Sequence, residues 1–145
     1  NTVCKQSPSA LFSLQLVTQQ SRELLLRLMY EIFGIEDGEN DSFVDNAISA
    51  PDRDAFILYE ETQPIGIVSL NYEKEDTFIY GLGIRLQHRG KGNGRRLAQM
   101  IMPLALAKAP EAVLDVDTDN PPALKLYKSM GFQVRFQEDY YVIPI

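Results

Sequence analysis

The spacing of hydrophobic residues changes along the first third of the chain. Apolar and polar residues alternate from Phe12 to Leu16, which predicts a strand buried on one face. Apolar residues then recur at helical spacing over Ser21–Phe33, and Gly34 stands where a left-handed cap ends a helix. A shorter amphipathic stretch, Phe43–Ile48, predicts a second helix that Pro51 stops.

Three β-rich segments follow in close succession. They are Ala55–Glu60, Ile65–Tyr72 and Thr77–Ile84, and turns at Thr62–Pro64 and Glu73–Asp76 separate them. Segments this close together predict an antiparallel meander, because a parallel connection needs a much longer crossover.

The second half of the chain alternates helices and strands after a glycine-rich basic loop. We predict this loop over 85–94, helices from there to about 108 and over 121–130, and strands over 112–116, 132–136 and 140–143. The order of elements predicts a mixed α/β (α+β) fold with both parallel and antiparallel strand pairs. Since no repeat or linker is evident, we expect residues 1–145 to form one domain.

Charge is distributed unevenly over the chain. The 14 Lys and Arg against 20 Asp and Glu give a net charge of −6, which argues against a general nucleic-acid binder. Residues 78–109 nevertheless carry six basic side chains and no acidic one, which leaves 8 basic and 20 acidic side chains elsewhere. The six are Arg85, Arg89, Lys91, Arg95, Arg96 and Lys108. They indicate either a solvated basic face or an anion site.

Several other chemistries are excluded by composition. A single cysteine, Cys4, allows no internal disulfide and no cysteine zinc cluster, and it suits a reducing compartment, so we expect a cytoplasmic protein. A single histidine, His88, rules out HExxH-type sites, and we expect no metal. No apolar run approaches the ~20 residues of a membrane span and no signal-peptide pattern is present, so no membrane association is expected.

The segment Arg89–Arg95 places three glycines at alternate positions among basic residues, just before a predicted helix. Glycine leaves backbone N–H groups unobstructed, and the start of a helix adds unpaired N–H groups, so the segment can cradle a pyrophosphate. It is neither a P-loop, because glycine follows Lys91, nor a GxGxxG dinucleotide fingerprint. By itself, a flexible surface turn explains it equally well.

A second segment, Asp119–Phe132, has a complete structural explanation as a capped helix. Asn120 is a preferred N-cap, proline suits the first helical position, and Gly131 suits the position after the last turn. Tyr127 lies on the inward stripe, where a core aromatic residue is more common than a catalytic one.

Taken together, the two segments resemble one family. Leu82-Gly83-Ile84 followed by Arg89-x-x-Gly92-x-Gly94 resembles the pyrophosphate motif of the GCN5-related N-acetyltransferases. The segment from Asn120 to Phe132, with Ala-x-x-Leu-Tyr and then Gly-Phe, resembles the second conserved block of that family. The resemblance covers the chain from about Thr77 to Phe132.

The resemblance implies the acyl-CoA N-acyltransferase fold, in which helices flank a mixed central sheet and two parallel strands, here Thr77–Ile84 and Ala112–Val116, splay apart. It implies acetyl-CoA as co-substrate between those strands and direct transfer of its acetyl group to a primary amine in a ternary complex. The residues implied for cofactor binding are Leu82, Ile84, Arg89, Gly90, Lys91, Gly92, Asn93, Gly94, Arg95 and Asn120.

The resemblance also implies catalytic roles. Tyr127 would protonate the departing thiolate, which suits a phenol with an ordinary pKa of ~10 against ~8.5 for a thiol. Many members carry a glutamate base where this chain has Ile79 and Tyr80. The arrangement in protein N-terminal acetyltransferases implies Asp115 as base, with Asp117 on the same strand face. Both aspartates are equally well explained as polar residues at a strand end.

The acceptor is implied only as an amine. The acidic loop Glu36–Asp45 lies between the two early helices, which border the acceptor side in the family, so Asp37, Glu39, Asp41 and Asp45 either attract a cationic acceptor or form a solvated loop. His88 is expected to lie in solvent beside the phosphates rather than to act as base. We expect a monomer or homodimer. A non-catalytic acyl-CoA-binding module of a larger or tandem protein is the alternative, and a nucleotide-phosphate enzyme is a third.

Overall fold

The computed structural model describes residues 11–34, 38, 40–116, 120–134 and 140–143. Within these ranges the chain forms seven strands and four helices. The strands are β1 (Phe12–Leu16), β2 (Arg53–Glu60), β3 (Gln63–Tyr72), β4 (Asp76–Ile84), β5 (Glu111–Asp115), β6 (Gln133–Val134) and β7 (Tyr140–Ile143). The helices are α1 (Arg22–Phe33), α2 (Asp41–Ser49), α3 (Asn93–Leu106) and α4 (Pro121–Ser129).

The seven strands form one mixed sheet in the order β1-β2-β3-β4-β5-β7-β6. All neighbouring strands are antiparallel except β4 and β5, which are parallel. This confirms the predicted meander and the mixed α/β fold. The predicted strand 132–136 is described only as far as Val134, and Cys4 lies outside the described residues.

Helices cover both faces of the sheet. Ile57 and Leu58 are neighbours on β2, so their side chains point to opposite faces of the sheet. Both are buried, which shows that both faces are covered. Ile57 packs in a core with α1 and α2, whereas Leu58 packs in a core with α3 and α4. Among the described residues, no helix combines the length and the apolar character that crossing a membrane requires.

The hairpin between β2 and β3 differs from the predicted turn at Thr62–Pro64. The loop consists of Glu61 and Thr62, with Glu61 at a φ of 55°, while Pro64 already lies in β3. A register shift next to Leu58 makes this possible, because a strand tolerates proline at a bulge, where the ladder is interrupted.

Candidate active site

The parallel strands β4 and β5 pair over only part of their length. Their register runs from Asp76 opposite Glu111 to Ile79 opposite Leu114, after which β4 continues to Ile84 without β5 beside it. A cleft of about 220 Å³ lies where the strands part. Its lining comes from α1, β4, β5, α4 and the segment before α4: Phe33, Ile79, Tyr80, Gly81, Leu82, Leu114, Asp115, Val116, Asn120, Ala123 and Tyr127.

A bulge in β4 explains why the strands part at this point. Ser69 of β3 lies opposite Tyr80 and Ile67 opposite Gly83, so β4 holds one more residue than β3 over this interval. Gly81, at a φ of 62°, supplies the left-handed conformation that such a bulge uses. Because a bulge bends its own strand and increases the local twist, β4 turns away from β5 directly after Tyr80.

Backbone groups of β4 face the cleft. The Arg85 amide donates to the Ile65 carbonyl at 2.9 Å, so the backbone groups of Arg85 point toward β3. By the alternation of an antiparallel ladder, the amides and carbonyls of Leu82 and Ile84 point away from β3. The Ile84 carbonyl accepts a hydrogen bond from Arg89 Nε at 2.8 Å. Arg89 therefore connects the glycine loop to the end of β4 through this hydrogen bond, and it also adds a positive charge to the loop.

The glycine loop ends in the first turn of α3. Gly90 and Gly92 have φ values of 75° and 81°, and the first helical hydrogen bond runs from the Arg96 amide to the Gly92 carbonyl at 3.0 Å. The amides of residues 93–95 precede that bond, so they form the polar N-terminus of the helix. The Asn93 side chain is buried and its Nδ2 donates to the His88 carbonyl at 2.9 Å. This buried hydrogen bond stabilises the loop and occupies the Asn93 side chain, so only the backbone of Asn93 can face a ligand.

The expectation that His88 is exposed to solvent is wrong. The residue is only 9% exposed, whereas Leu86 is 74% exposed. A single 3₁₀ turn, closed by the His88 amide on the Arg85 carbonyl at 2.8 Å, turns the imidazole inward and the leucine outward. The Nε2 atom has no hydrogen-bond partner among the described residues, and His88 does not line the cleft.

Three of the six clustered basic residues serve the fold. Arg85 Nε lies 2.7 Å from Glu31 Oε2 on α1, and the Arg96 guanidinium lies 3.9 Å from the ring centre of Phe12. Lys108 Nζ lies 4.5 Å from the ring centre of the tyrosine that ends β3. These three side chains contact other elements of the fold, and an anion at the glycine loop would meet the other three basic residues.

The remaining three basic residues, Arg89, Lys91 and Arg95, border the glycine loop. Arg95 also donates to Ser129 Oγ at 2.7 Å, and that hydroxyl donates to the Leu126 carbonyl at 2.6 Å. The loop is thus connected to the last turn of α4, the helix that carries Tyr127.

Both predicted catalytic residues line the cleft. Tyr127 is 9% exposed, its ring packs edge-on against Phe132, and burial raises the pKa of its phenol. Asp115 is exposed at the end of β5. Among the described residues that line the cleft, it is the only carboxylate. Asp117 lies outside the described residues.

Asn120 combines a structural role with a place in the cleft. Its Oδ1 accepts from the Ala123 amide at 3.3 Å, which confirms the predicted N-cap of α4. A primary amide has donors as well as an acceptor, so the same side chain can cap the helix and still donate into the cleft.

Sequence reasoning did not identify Phe33 and Tyr80 as residues of the cleft wall. Burial raises the pKa of the Tyr80 phenol, so this side chain stays neutral in the neutral range. Phe33 reaches the cleft because Gly83 has no side chain: a Cβ there would lie 2.8 Å from Phe33 Cζ. A glycine inside a strand is the one signal of such a close approach.

The predicted acidic loop Glu36–Asp45 is shorter than expected, because α2 begins at Asp41 and includes both Asp41 and Asp45. Arg22 Nε donates to Asp45 at 2.6 Å, which lowers the pKa of that carboxyl, and the same guanidinium lies 4.0 Å from Asp41. These two carboxylates are therefore engaged by Arg22 rather than directed at an acceptor. Asp37 and Glu39 lie outside the described residues. In the part of the chain that the structure describes, no cluster of three His, Cys, Asp or Glu residues could hold a metal ion.

Comparison with known proteins places this geometry in context. The family model described as the Acetyltransferase (GNAT) family matches residues 19–132. N-alpha-acetyltransferase RimI of Mycobacterium tuberculosis (strain ATCC 25618 / H37Rv) is 39% identical over 64 residues, which span 43% of this chain and only 39% of that relative.

Solved structures of similar shape extend over nearly the whole chain. An acetyltransferase from Thermus thermophilus is 25% identical, with a TM-score of 0.75 over 92% of this chain and 97% of that one. Arabidopsis thaliana Naa50 in complex with the bisubstrate analogue CoA-Ac-MVNAL is also 25% identical, with a TM-score of 0.72 over 91% and 96%. Spermidine N-acetyltransferase from Vibrio cholerae in complex with CoA and spermine, 18% identical, shares the fold with a TM-score of 0.72 over 94% and 95%.

Proposed function

The chain belongs to the acetyltransferase (GNAT) family, and we propose that it transfers the acetyl group of acetyl-CoA to a primary amine. The observation that carries this proposal is the cleft where β4 leaves β5, because Asp115 and Tyr127 line it and the same strand β4 leads into the glycine loop. Structures of similar fold bind CoA together with an amine or a peptide analogue. A cytoplasmic location remains our expectation from the single cysteine.

The residues around the cleft fit CoA. Leu82 and Ile84 present backbone groups with which an amide-bearing pantetheine arm can pair, as an added strand would. The amides of Asn93, Gly94 and Arg95, with Gly90 and Gly92 before them, form a cradle of N–H groups for a pyrophosphate. The cations of Arg89, Lys91 and Arg95 surround that cradle, and Asn120 donates toward the arm.

Gly94 is the clearest sign of a ligand at this loop. It lies in the first turn of α3 without a positive φ, and a Cβ built on it would meet no atom within 4 Å. Neither backbone conformation nor packing therefore requires glycine there, and alanine has the higher helix propensity. Close approach of a ligand to the backbone is the remaining physical reason for this residue.

The Gly94→Ala variant is expected to separate binding from stability. Its melting temperature should equal or slightly exceed that of the wild type, since the new methyl group meets no protein atom. Its Kd for acetyl-CoA should rise roughly tenfold, equivalent to about 1.4 kcal/mol. Calorimetric titration and thermal melting measure the two effects. Gln99→Ala, at an exposed position of the same helix, is the matched control and should change neither. Unchanged affinity in Gly94→Ala would remove the glycine loop from the CoA site.

The proposed chemistry divides between two side chains. The thioester of acetyl-CoA supplies the acetyl group, and the amine attacks its carbonyl directly. Asp115 accepts the proton that the amine loses, and the buried, neutral phenol of Tyr127 donates a proton to the thiolate that departs. A backbone N–H of β4, on the side that faces the cleft, stabilises the developing oxyanion.

Ligand-dependent stabilisation tests the proposal against its alternatives. Acetyl-CoA and CoA should each raise the melting temperature, while ATP and NAD at equal concentration should not, because a ligand stabilises only a protein that binds it. Stabilisation by ATP or NAD alone would support a nucleotide-phosphate enzyme. Stabilisation by acetyl-CoA without transfer to any amine would support a non-catalytic acyl-CoA-binding module.

A further inference from the structure

A second pocket shares part of its wall, including Tyr80, with the cleft. It measures about 410 Å³, within the range of ~300–1,000 Å³ typical of small-molecule sites. Its walls come from α1, α2, β3 and β4 and are mainly apolar: Leu25, Met29, Phe33, Phe43, Ile67 and Tyr80. No Lys, Arg, Asp or Glu is among the described residues that line it.

This pocket adjoins the cleft. Phe33, Tyr80 and Gly81 line both spaces, so the two meet at the bulge of β4. Tyr80 lies opposite Ser69, and its ring packs edge-on against Phe43 at a centroid distance of 5.8 Å. If part of an acceptor molecule packed against Phe43 and Tyr80, the atoms bonded to that part would therefore lie at the opening between β4 and β5.

The pocket suits an apolar group and disfavours a charged one. An ammonium group placed among these side chains would lose its hydration without gaining a counter-ion, which is costly. Among the described residues, three nearby carboxylates already face cations: Asp41 and Asp45 contact Arg22, and Glu31 contacts Arg85. A fourth, Asp52, acts on the Tyr80 phenol, but the opposite charge of its neighbour Arg53 acts on the same phenol. An aliphatic or aromatic group, by contrast, gains from every apolar surface it covers.

We propose that this pocket receives an aliphatic or aromatic group borne by the acceptor next to its reactive amine, with Phe43 and Tyr80 as the selective wall. The inference rests on the proposed acetyl transfer and specifies its acceptor class. It takes the place of the expectation that the acidic loop draws a cationic acceptor.

Two matched sets of amines test this inference, one of peptides and one of small molecules. The first compares Leu-Gly-Gly-amide and Phe-Gly-Gly-amide with Ser-Gly-Gly-amide and Lys-Gly-Gly-amide. The second compares isoamylamine and phenethylamine with ethanolamine and putrescine. In at least one set, kcat/KM of the wild-type protein should be roughly tenfold or more higher for the apolar members. The set with the higher values tells whether the acceptor is a peptide amine or a small amine.

The Phe43→Ala variant should bring the ratio between apolar and polar acceptors close to one. Phe12→Ala truncates a partly buried phenylalanine outside the pocket and should keep the wild-type ratio. The ratio of kcat/KM values for two acceptors on one protein sample does not depend on the fraction of protein that is folded. If Phe43→Ala does not fold, Phe43→Leu replaces it in this test. Equal or greater wild-type activity on polar amines, or an unchanged ratio in the Phe43 variants, would overturn the inference and leave acetyl transfer standing. Transfer to no amine in either set would overturn both.

Discussion

Tyr127→Phe is expected to lower kcat for acetyl transfer roughly a hundredfold, the lower end of what a positioned general acid contributes. The substitution removes only the hydroxyl group. The ring keeps its edge-on contact with Phe132 and its place in the core, so the melting temperature should change little. Steady-state kinetics with acetyl-CoA and a transferable amine measure the effect.

Tyr72→Phe is the matched control for this prediction. The Tyr72 hydroxyl donates to Asp54 at 2.7 Å, and neither residue lines the cleft. We expect a loss of about 1 kcal/mol in stability, the usual net value of a hydrogen bond, with kcat unchanged. If Tyr127→Phe turned over as fast as the wild type, Tyr127 could not be the acid.

The raised pKa of Tyr127 also sets an expectation for pH. Burial holds the pKa above the ordinary value of ~10, so the proton-donating form persists throughout the neutral and mildly alkaline range. Ionisation of Tyr127 should therefore reduce kcat only above about pH 10. A wild-type decline near pH 8 that disappears in Tyr127→Phe would contradict this.

Asp115→Asn is expected to lower kcat/KM at pH 7 by roughly a hundredfold, because the amide keeps the shape of the carboxylate but accepts no proton. The defect should narrow as the pH rises, since a larger share of the amine is then deprotonated without help from the protein. The measurement is kcat/KM of both proteins as a function of pH with one amine.

Glu61→Gln makes the same change from carboxylate to amide at an exposed position of the hairpin between β2 and β3, and it should leave kcat/KM unchanged. If the deficit of Asp115→Asn were constant over the whole pH range, Asp115 would act in binding or in structure rather than as a base. An unaltered kcat/KM would remove it from the mechanism altogether.

Features determined by a few consecutive residues could be predicted from the sequence. Gly34 ends α1 at a φ of 70°, and Asn120 caps α4 through its own side chain. The meander followed from the short spacing between its strands. In each case the physical cause lies within one or two turns of chain, so the residue pattern contains the information.

Features that depend on how distant elements pack could not be predicted in this way. The 3₁₀ turn that buries His88 reverses the exposure that its basic neighbourhood suggested. Arg96 belongs to the basic cluster in the sequence, yet it lies against the ring of Phe12, far away along the chain. The apolar pocket arises only where α1 and α2 meet β4, so the acidic loop between the helices could not indicate the class of acceptor that we propose.

The stoichiometry of acetyl transfer by the wild-type protein tests the proposed reaction itself. CoA thiol released and acetylated amine formed are measured together while the amine concentration is varied. We expect one thiol per acetylated amine, with no release above background in the absence of amine. Binding of acetyl-CoA with no thiol release for any amine, or thiol release without acetylated product, would contradict acetyl transfer as the function of this protein.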